Sequence, residues 1–129
     1  MSNAHYDVII IGAAHTAGNT PAVIKNARGY VRGYDVKTGK RLWIFHTIPH
    51  KGEFGYDTWP SQAYKTATGV MPWSGQALDE KRGIVYIATK TAEPDFYGAL
   101  RHGQNLFANS LVALDAATGK LLWHYQIVH

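Results

Sequence analysis

The sequence predicts an all-β protein built from antiparallel four-stranded meanders, and three observations predict it. A hairpin-length pattern recurs along the chain, each copy alternates apolar and polar residues about a glycine turn, and tight and long connections follow one another in regular order. Tyr30–Phe45, "YVRGYDVKTGKRLWIF", returns as Ser110–Tyr125, "SLVALDAATGKLLWHY". Asp35, Thr38, Gly39, Lys40, Leu42 and Trp43 match Asp115, Thr118, Gly119, Lys120, Leu122 and Trp123 at a constant offset of 80, from 115 − 35. Self-similarity of this kind signals a repeated supersecondary unit.

Within one unit the strands are named A to D. The first apolar run, residues 7–13, reads as strand B. Residues 29–36 and 41–47 follow as C and D, joined at Asp-x-x-Thr-Gly, where Asp can bond the backbone ahead and Gly can take a positive φ. The second unit supplies A at 70–78, B at 83–89, C at 109–115 and D at 121–128. Asp79 and Gly83 mark its extra hairpin. The tight turns at 37–40, 80–82 and 117–120 lie on one edge of the meanders. The long connections, 14–28, 48–69 and 90–108, collect on the other, where a scaffold of this type carries binding residues. Repeated four-stranded meanders are blades of a β-propeller, and a single seven-stranded sandwich or barrel is the alternative. The expected organisation is an added leader at 1–4, a partial blade at 5–47, an inter-blade loop at 48–69, and a second blade at 70–129 with a long B–C loop at 90–108.

Bulk properties narrow the function classes. A chain of 129 residues with 46% hydrophobic and 17% charged residues is long enough for a packed core. Apolar runs such as Val8–Ile11 are far short of the roughly 18 residues a spanning helix needs, so no membrane-spanning segment is expected. The chain has no cysteine, which excludes disulfides, thiolate metal sites and a cysteine nucleophile. Its net charge of +4 is scattered. Lys37, Lys40, Arg41, Lys81 and Arg82 flank glycine turns as solvated tips, and no nucleic-acid partner is expected.

The opening "YDVIIIGAAHTAG" resembles the start of a dinucleotide cradle, which needs a helix directly after its glycines. Here Gly18-Asn19-Thr20-Pro21 punctuates a loop instead, and Asp35 is explained by its hairpin because Asp115 repeats it without a glycine loop upstream. Trp43 and Trp123 read as structural, packing blade on blade. Trp73 lies where a long loop enters strand A, in position to serve as an axial platform for a planar ligand or as a core aromatic. His15 and Thr16 sit in the first long loop, as a ligand contact or as exposed residues. Arg28, Arg32, Lys90 and Arg101 lie in or next to the loop face, where they could meet an anionic ligand, with solvated surface as the default for each. Glu53 with Asp57, and Glu93 with Asp95, read as loop pairs with no partner base.

The segments "ARGYVRGYDVKTGKRLWIFHTIP", "GEFGYDTW" and "NLFANSLVALDAATGKLLWHYQ" closely resemble the pyrroloquinoline-quinone (PQQ)-dependent dehydrogenases of the glucose and alcohol dehydrogenase type. That resemblance implies an eight-bladed propeller of W-motif blades, with PQQ and a divalent cation, Ca²⁺ or Mg²⁺, on its axis. It implies periplasmic localisation, and oxidation in which a base takes the substrate hydroxyl proton while hydride passes to the quinone. Residue by residue, Trp73 matches the tryptophan beneath the quinone plane. Ala13, Ala14, His15 and Thr16 match the small-residue loop beside it, and Arg28 matches the arginine of the Arg-Gly-Tyr segment. The cation ligands do not carry over: the first loop has no acidic residue, and "TKTAEPDF" stands where an asparagine ligand is expected. The family's His-Asp-x-Trp-Asp segment and aspartate base would follow His129. The resemblance thus implies a two-blade fragment, inactive alone; because repeat architectures need about three or more units to bury a continuous core, self-association or the remaining blades are expected as partners. A noncatalytic propeller-repeat scaffold is the alternative.

Overall fold

The computed structural model describes residues 7–13 and 28–128. Seven strands follow in chain order: β1 Val8–Gly12, β2 Tyr30–Asp35, β3 Arg41–His46, β4 Gln76–Asp79, β5 Ile84–Ala88, β6 Ser110–Asp115 and β7 Leu121–Gln126. They form a three-stranded sheet, β1-β2-β3, and a four-stranded sheet, β4-β5-β6-β7, with every pair antiparallel. Each strand pairs with its neighbour in sequence, as a meander requires. Two short 3₁₀ turns, Tyr56–Thr58 and Ala63–Lys65, punctuate the connection between the sheets.

The two copies of the repeat match down to their irregularities. The β2–β3 ladder shifts register between Gly33 and Tyr34, and the β6–β7 ladder shifts between Ala113 and Leu114. Their turns are built alike. Asp35 Oδ1 accepts from the Lys37 and Thr38 amides at 3.0 and 2.7 Å and from the Thr38 hydroxyl at 2.8 Å. Asp115 Oδ1 accepts from the Ala117 and Thr118 amides at 3.0 and 2.8 Å and from the Thr118 hydroxyl at 2.9 Å. Gly39 and Gly119 close the turns at φ of 69° and 71°. The left-handed region is costly for a residue with a Cβ, which is why glycine recurs there. Asp79 organises the third hairpin differently, holding Arg82 through its amide at 3.0 Å and its guanidinium at 2.7 Å.

Alternation sets the packing. Ile10, Val31, Gly33, Trp43 and Phe45 share one face of the first sheet by their pairing register. That face meets Val85, Ile87, Val112 and Leu114, which share one face of the second, with Leu106 and Phe107 completing the cluster. Trp43 forms the seam. Its indole lies over Gly33 of its own sheet and over Gly119 of the neighbouring turn, both places where a Cβ would collide with the ring. Its Nε1 donates to the Ala116 carbonyl at 3.1 Å. A second cluster, Ile48, Trp59, Ala63, Val70, Ala92 and Ala108, lies under the long connections.

One expectation needs correction. Strand A of the second blade, expected over 70–78, is confined to Gln76–Asp79. Gly69, Val70 and Gly75 take φ of 86°, 55° and 100°, so the backbone cannot run extended through them. Residues 68–71 run beside 90–93 instead: Val70 N–H reaches Thr91 O at 3.1 Å, Lys90 N–H reaches Met71 O at 3.0 Å, and Glu93 N–H reaches Thr68 O at 3.0 Å. Trp123, at the position matching Trp43, is 43% exposed where Trp43 is 8% exposed, on a face that neither described sheet covers. Ala113 replaces Gly33 beneath it and fills the seat an indole would need, and Trp123 rests instead near Tyr86, ring centroids 5.9 Å apart.

Candidate functional site

The long-connection edge brings together the ends of several segments. Gly12, at the end of β1, abuts Pro72 so closely that a Cβ there would stand 2.6 Å from the proline ring. Ala13, the next residue, is buried and its amide donates to Tyr30 O at 3.1 Å. Arg28 bridges Gly69, which bridges Ala92 in turn, so three separate segments meet at one glycine. Gly69 has no room for a side chain: a Cβ would sit 2.9 Å from Glu93 N. Gly29 is enclosed similarly by Thr47 and by the carbonyls of Gly69 and Val70. Ala13, Arg28 and Trp73 thus belong to segments that touch, through Gly12–Pro72 and Arg28–Gly69. The side chains differ in state. Trp73 is 74% exposed and leaves its indole face open, whereas the Arg28 guanidinium donates to the Lys65 carbonyl at 2.6 Å. Ala14, His15 and Thr16 lie outside the described residues.

The charged groups of the 90–101 loop are engaged with one another, which corrects their reading as solvated surface. Lys90 Nζ stands 3.1 Å from Asp95 Oδ1 and 3.8 Å from Glu93 Oε1. The Glu93 side chain is fully buried, and its other oxygen accepts the Thr68 hydroxyl at 2.9 Å. Arg101 Nη1 donates to Asn105 Oδ1 at 3.1 Å. Burial lowers its guanidinium from the usual range, opposed by the Asp95 carboxylate. Glu93 and Asp95 therefore have a cationic partner, Lys90. The i,i+3 spacing of Lys90 and Glu93 was visible in the sequence; their burial was not, because it depends on Thr68 arriving from another connection. Beside this cluster, Thr91, Asp95, Arg101, Asn105 and Asn109 line a cleft of about 410 Å³.

The remaining aromatic and imidazole groups of this edge are structural in their contacts. Trp59 is buried and its Nε1 donates to the Leu106 carbonyl. His46 and His50 stack with ring centroids 3.8 Å apart, and His46 Nδ1 lies 2.8 Å from Glu53 Oε1. Burial lowers the His50 pKa, and the neighbouring His46 charge adds to that. Among the described residues no group of three histidines or carboxylates gathers at metal-binding distance. No helix among them is long and apolar enough to cross a membrane.

The geometry finds its counterpart in known proteins. The family profile described as PQQ: glucose/ethanol/alcohol dehydrogenase, beta-propeller domain, matches residues 2–129. The chain is 39% identical over 113 residues to quinoprotein glucose dehydrogenase A of Acinetobacter calcoaceticus, covering 81% of this chain and 13% of that protein. It is 36% identical over 107 residues to the quinoprotein glucose dehydrogenase of Escherichia coli, again covering 81% of this chain and 13% of that one. Its structure resembles that of quinohemoprotein alcohol dehydrogenase ADHIIG from Pseudomonas putida, with a TM-score of 0.70 and 33% identity over 95% of this chain and 19% of that one. The chain thus spans a small part of the length of these relatives. The repeated meanders are those of a β-propeller, as the sequence predicts. With its matched turns, its tryptophan seam and a family match along nearly its whole length, the chain belongs to the β-propeller domain family of the PQQ-dependent glucose, ethanol and alcohol dehydrogenases.

Proposed function

We propose that this chain forms part of a PQQ-dependent sugar or alcohol dehydrogenase and supplies one side of its quinone site. The observation that carries the reading is Trp73: an indole left 74% exposed, on a segment wedged by Pro72 against the end of β1. A planar ligand gains most from an aromatic face that is open and held by its backbone. In this reading Trp73 stacks beneath the quinone, Ala13 with the Ala14–Thr16 loop borders its edge, and Arg28 stands at its rim. PQQ, when bound, supplies the electron-pair acceptor for oxidation of a hydroxyl carbon.

The residues fit the quinone better than the cation. Glu93 and Asp95, the carboxylates of the 90–108 connection, are directed to Lys90, and a hard cation needs several oxygen ligands free to converge. The chain's own contribution is then to bind and orient the cofactor, with proton removal assigned to a base elsewhere in the complete enzyme.

The test is equilibrium dialysis of PQQ against the chain, with and without Ca²⁺ or Mg²⁺, alongside dye reduction with glucose and ethanol. Binding without dye reduction, weakened about tenfold or more in Trp73→Ala, supports the reading. Absence of PQQ binding under all conditions overturns it in favour of a noncatalytic propeller scaffold.

A further inference from the structure

The segment that carries Trp73 is held from two sides. On one, Pro72 abuts Gly12 at the end of β1. On the other, Met71 O accepts from the Lys90 amide, within the ladder that pairs residues 68–71 with 90–93. That ladder contains strain. Val70, a β-branched residue, takes φ of 55°, in the left-handed region where its Cβ is crowded. Backbone of this kind persists only where its surroundings over-determine it. Burial of Val70 with Ile48, Trp59 and Ala92 is one such restraint. A second crosses the ladder through side chains. The Thr68 hydroxyl donates to Glu93 Oε2 at 2.9 Å while the Glu93 amide donates to Thr68 O at 3.0 Å, so the two residues are joined twice, directly before the turn at Gly69 and Val70. The Glu93 side chain is fully buried, its other oxygen 3.8 Å from Lys90 Nζ, and Asp95 Oδ1 meets the same ammonium at 3.1 Å. A buried carboxylate lowers stability unless it is paired and hydrogen-bonded, and an apolar pair would serve a ladder that needed backbone bonds alone.

We propose that Thr68 and Glu93, with Lys90 as counter-charge, are positioning residues for Trp73. Their link holds the strained turn at Gly69 and Val70, and through Met71 and Pro72 it fixes the direction in which the indole is presented. This rests on the reading of Trp73 as the platform for the quinone. Without the hydroxyl-to-carboxylate bond, the backbone at Val70 relaxes from its left-handed conformation, and the displacement passes along the chain to Trp73 three residues on. A planar ligand must then order the platform as it binds, which weakens affinity although no contact to the ligand has been removed.

The test is fluorine NMR of the chain with 5-fluorotryptophan at its four tryptophans, the Trp73 resonance being identified by its loss in Trp73→Phe. Thr68→Val keeps the side-chain shape and removes the hydroxyl; the Trp73 resonance is expected to shift and narrow while those of Trp43 and Trp123 hold. Thr68→Ser restores the hydroxyl and returns the resonance. Glu93→Gln, measured alongside, moves it in the same direction as Thr68→Val, because the amide no longer answers the Lys90 charge. In equilibrium dialysis the dissociation constant for PQQ rises about tenfold in Thr68→Val and recovers in Thr68→Ser. A Trp73 resonance that stays in place in both Thr68→Val and Glu93→Gln overturns the proposal. So does one that moves together with Trp43 and Trp123, which would make the link a support of the whole fold, or one that Thr68→Ser fails to return. An unaltered chain that binds no PQQ overturns the quinone reading instead, and the resonance still decides whether Thr68 and Glu93 position the indole.

Discussion

Trp43 and Trp123 occupy the same place in two copies of one motif and end in different environments. Trp43 is 8% exposed, lies over two glycines and donates a hydrogen bond at 3.1 Å; Trp123 is 43% exposed and leans on Tyr86. Local sequence is nearly constant between them, so the difference comes from what each sheet faces and from one methyl group, Gly33 against Ala113. A repeat motif therefore encodes half of an interface. The energetic value of that half is realised only when the other half arrives.

The comparison can be tested most severely by truncation. Trp43→Ala is expected to cost about 3–5 kcal/mol, as for other buried aromatic truncations, while Trp123→Ala costs about 1 kcal/mol or less in the unassociated chain. Urea denaturation at low protein concentration measures both, and equal losses would mean that the seam contributes nothing beyond a local contact. The glycines come next. Gly39→Ala and Gly119→Ala share the left-handed backbone penalty of roughly 1–2 kcal/mol. Gly119→Ala must also displace the Trp43 ring, so it is expected to be the more destabilising of the two.

Smaller effects should be the same in both copies and so act as controls. Asp35→Ala and Asp115→Ala each remove three local hydrogen bonds of matching length, and both are expected to lower the melting temperature by similar, modest amounts. Hydrogen bonds, chiefly from Thr38 and Thr118, hold both carboxyls below their ordinary value of 3.8. Protonation therefore favours the unfolded chain: the stabilisation is complete well above pH 3.8 and is lost as acid titrates the folded carboxylates. Loss in one copy alone would break the equivalence of the turns. The smallest effect belongs to His50, whose folded pKa lies below 6.5, chiefly through burial. The unfolded chain binds that proton more readily, so stability falls as pH drops below 6.5, and His50→Phe is expected to flatten that part of a melting-temperature profile.

Much of this organisation was legible in the sequence where it depended on local chemistry. The strand order, the three tight turns and the repeat followed from alternation and from Asp and Gly spacing, and six of the seven strands fall within two residues of expectation. Strand A did not, because "GVMPW" looks extended in composition while its positive-φ residues bend it toward residues 90–93. At the site, the segments bearing Ala13, Arg28 and Trp73 do converge. The commitment of Arg28 to Lys65, and of Lys90 to Glu93 and Asp95, was hidden because each partner comes from tertiary placement or from burial that spacing cannot report.

The Asp-x-x-Thr-Gly turn has one further use. Asp, Thr and Gly define its geometry, while the residue after the first turn position contributes only its amide, and it is an exposed Lys37 in one copy and an exposed Ala117 in the other. The side chain there is free to be chosen. Since the chain has no cysteine, Ala117→Cys would install a single addressable thiol on the turn that Trp43 grips. A dye, spin probe or surface tether could then be attached beside the seam without altering the atoms that shape the turn.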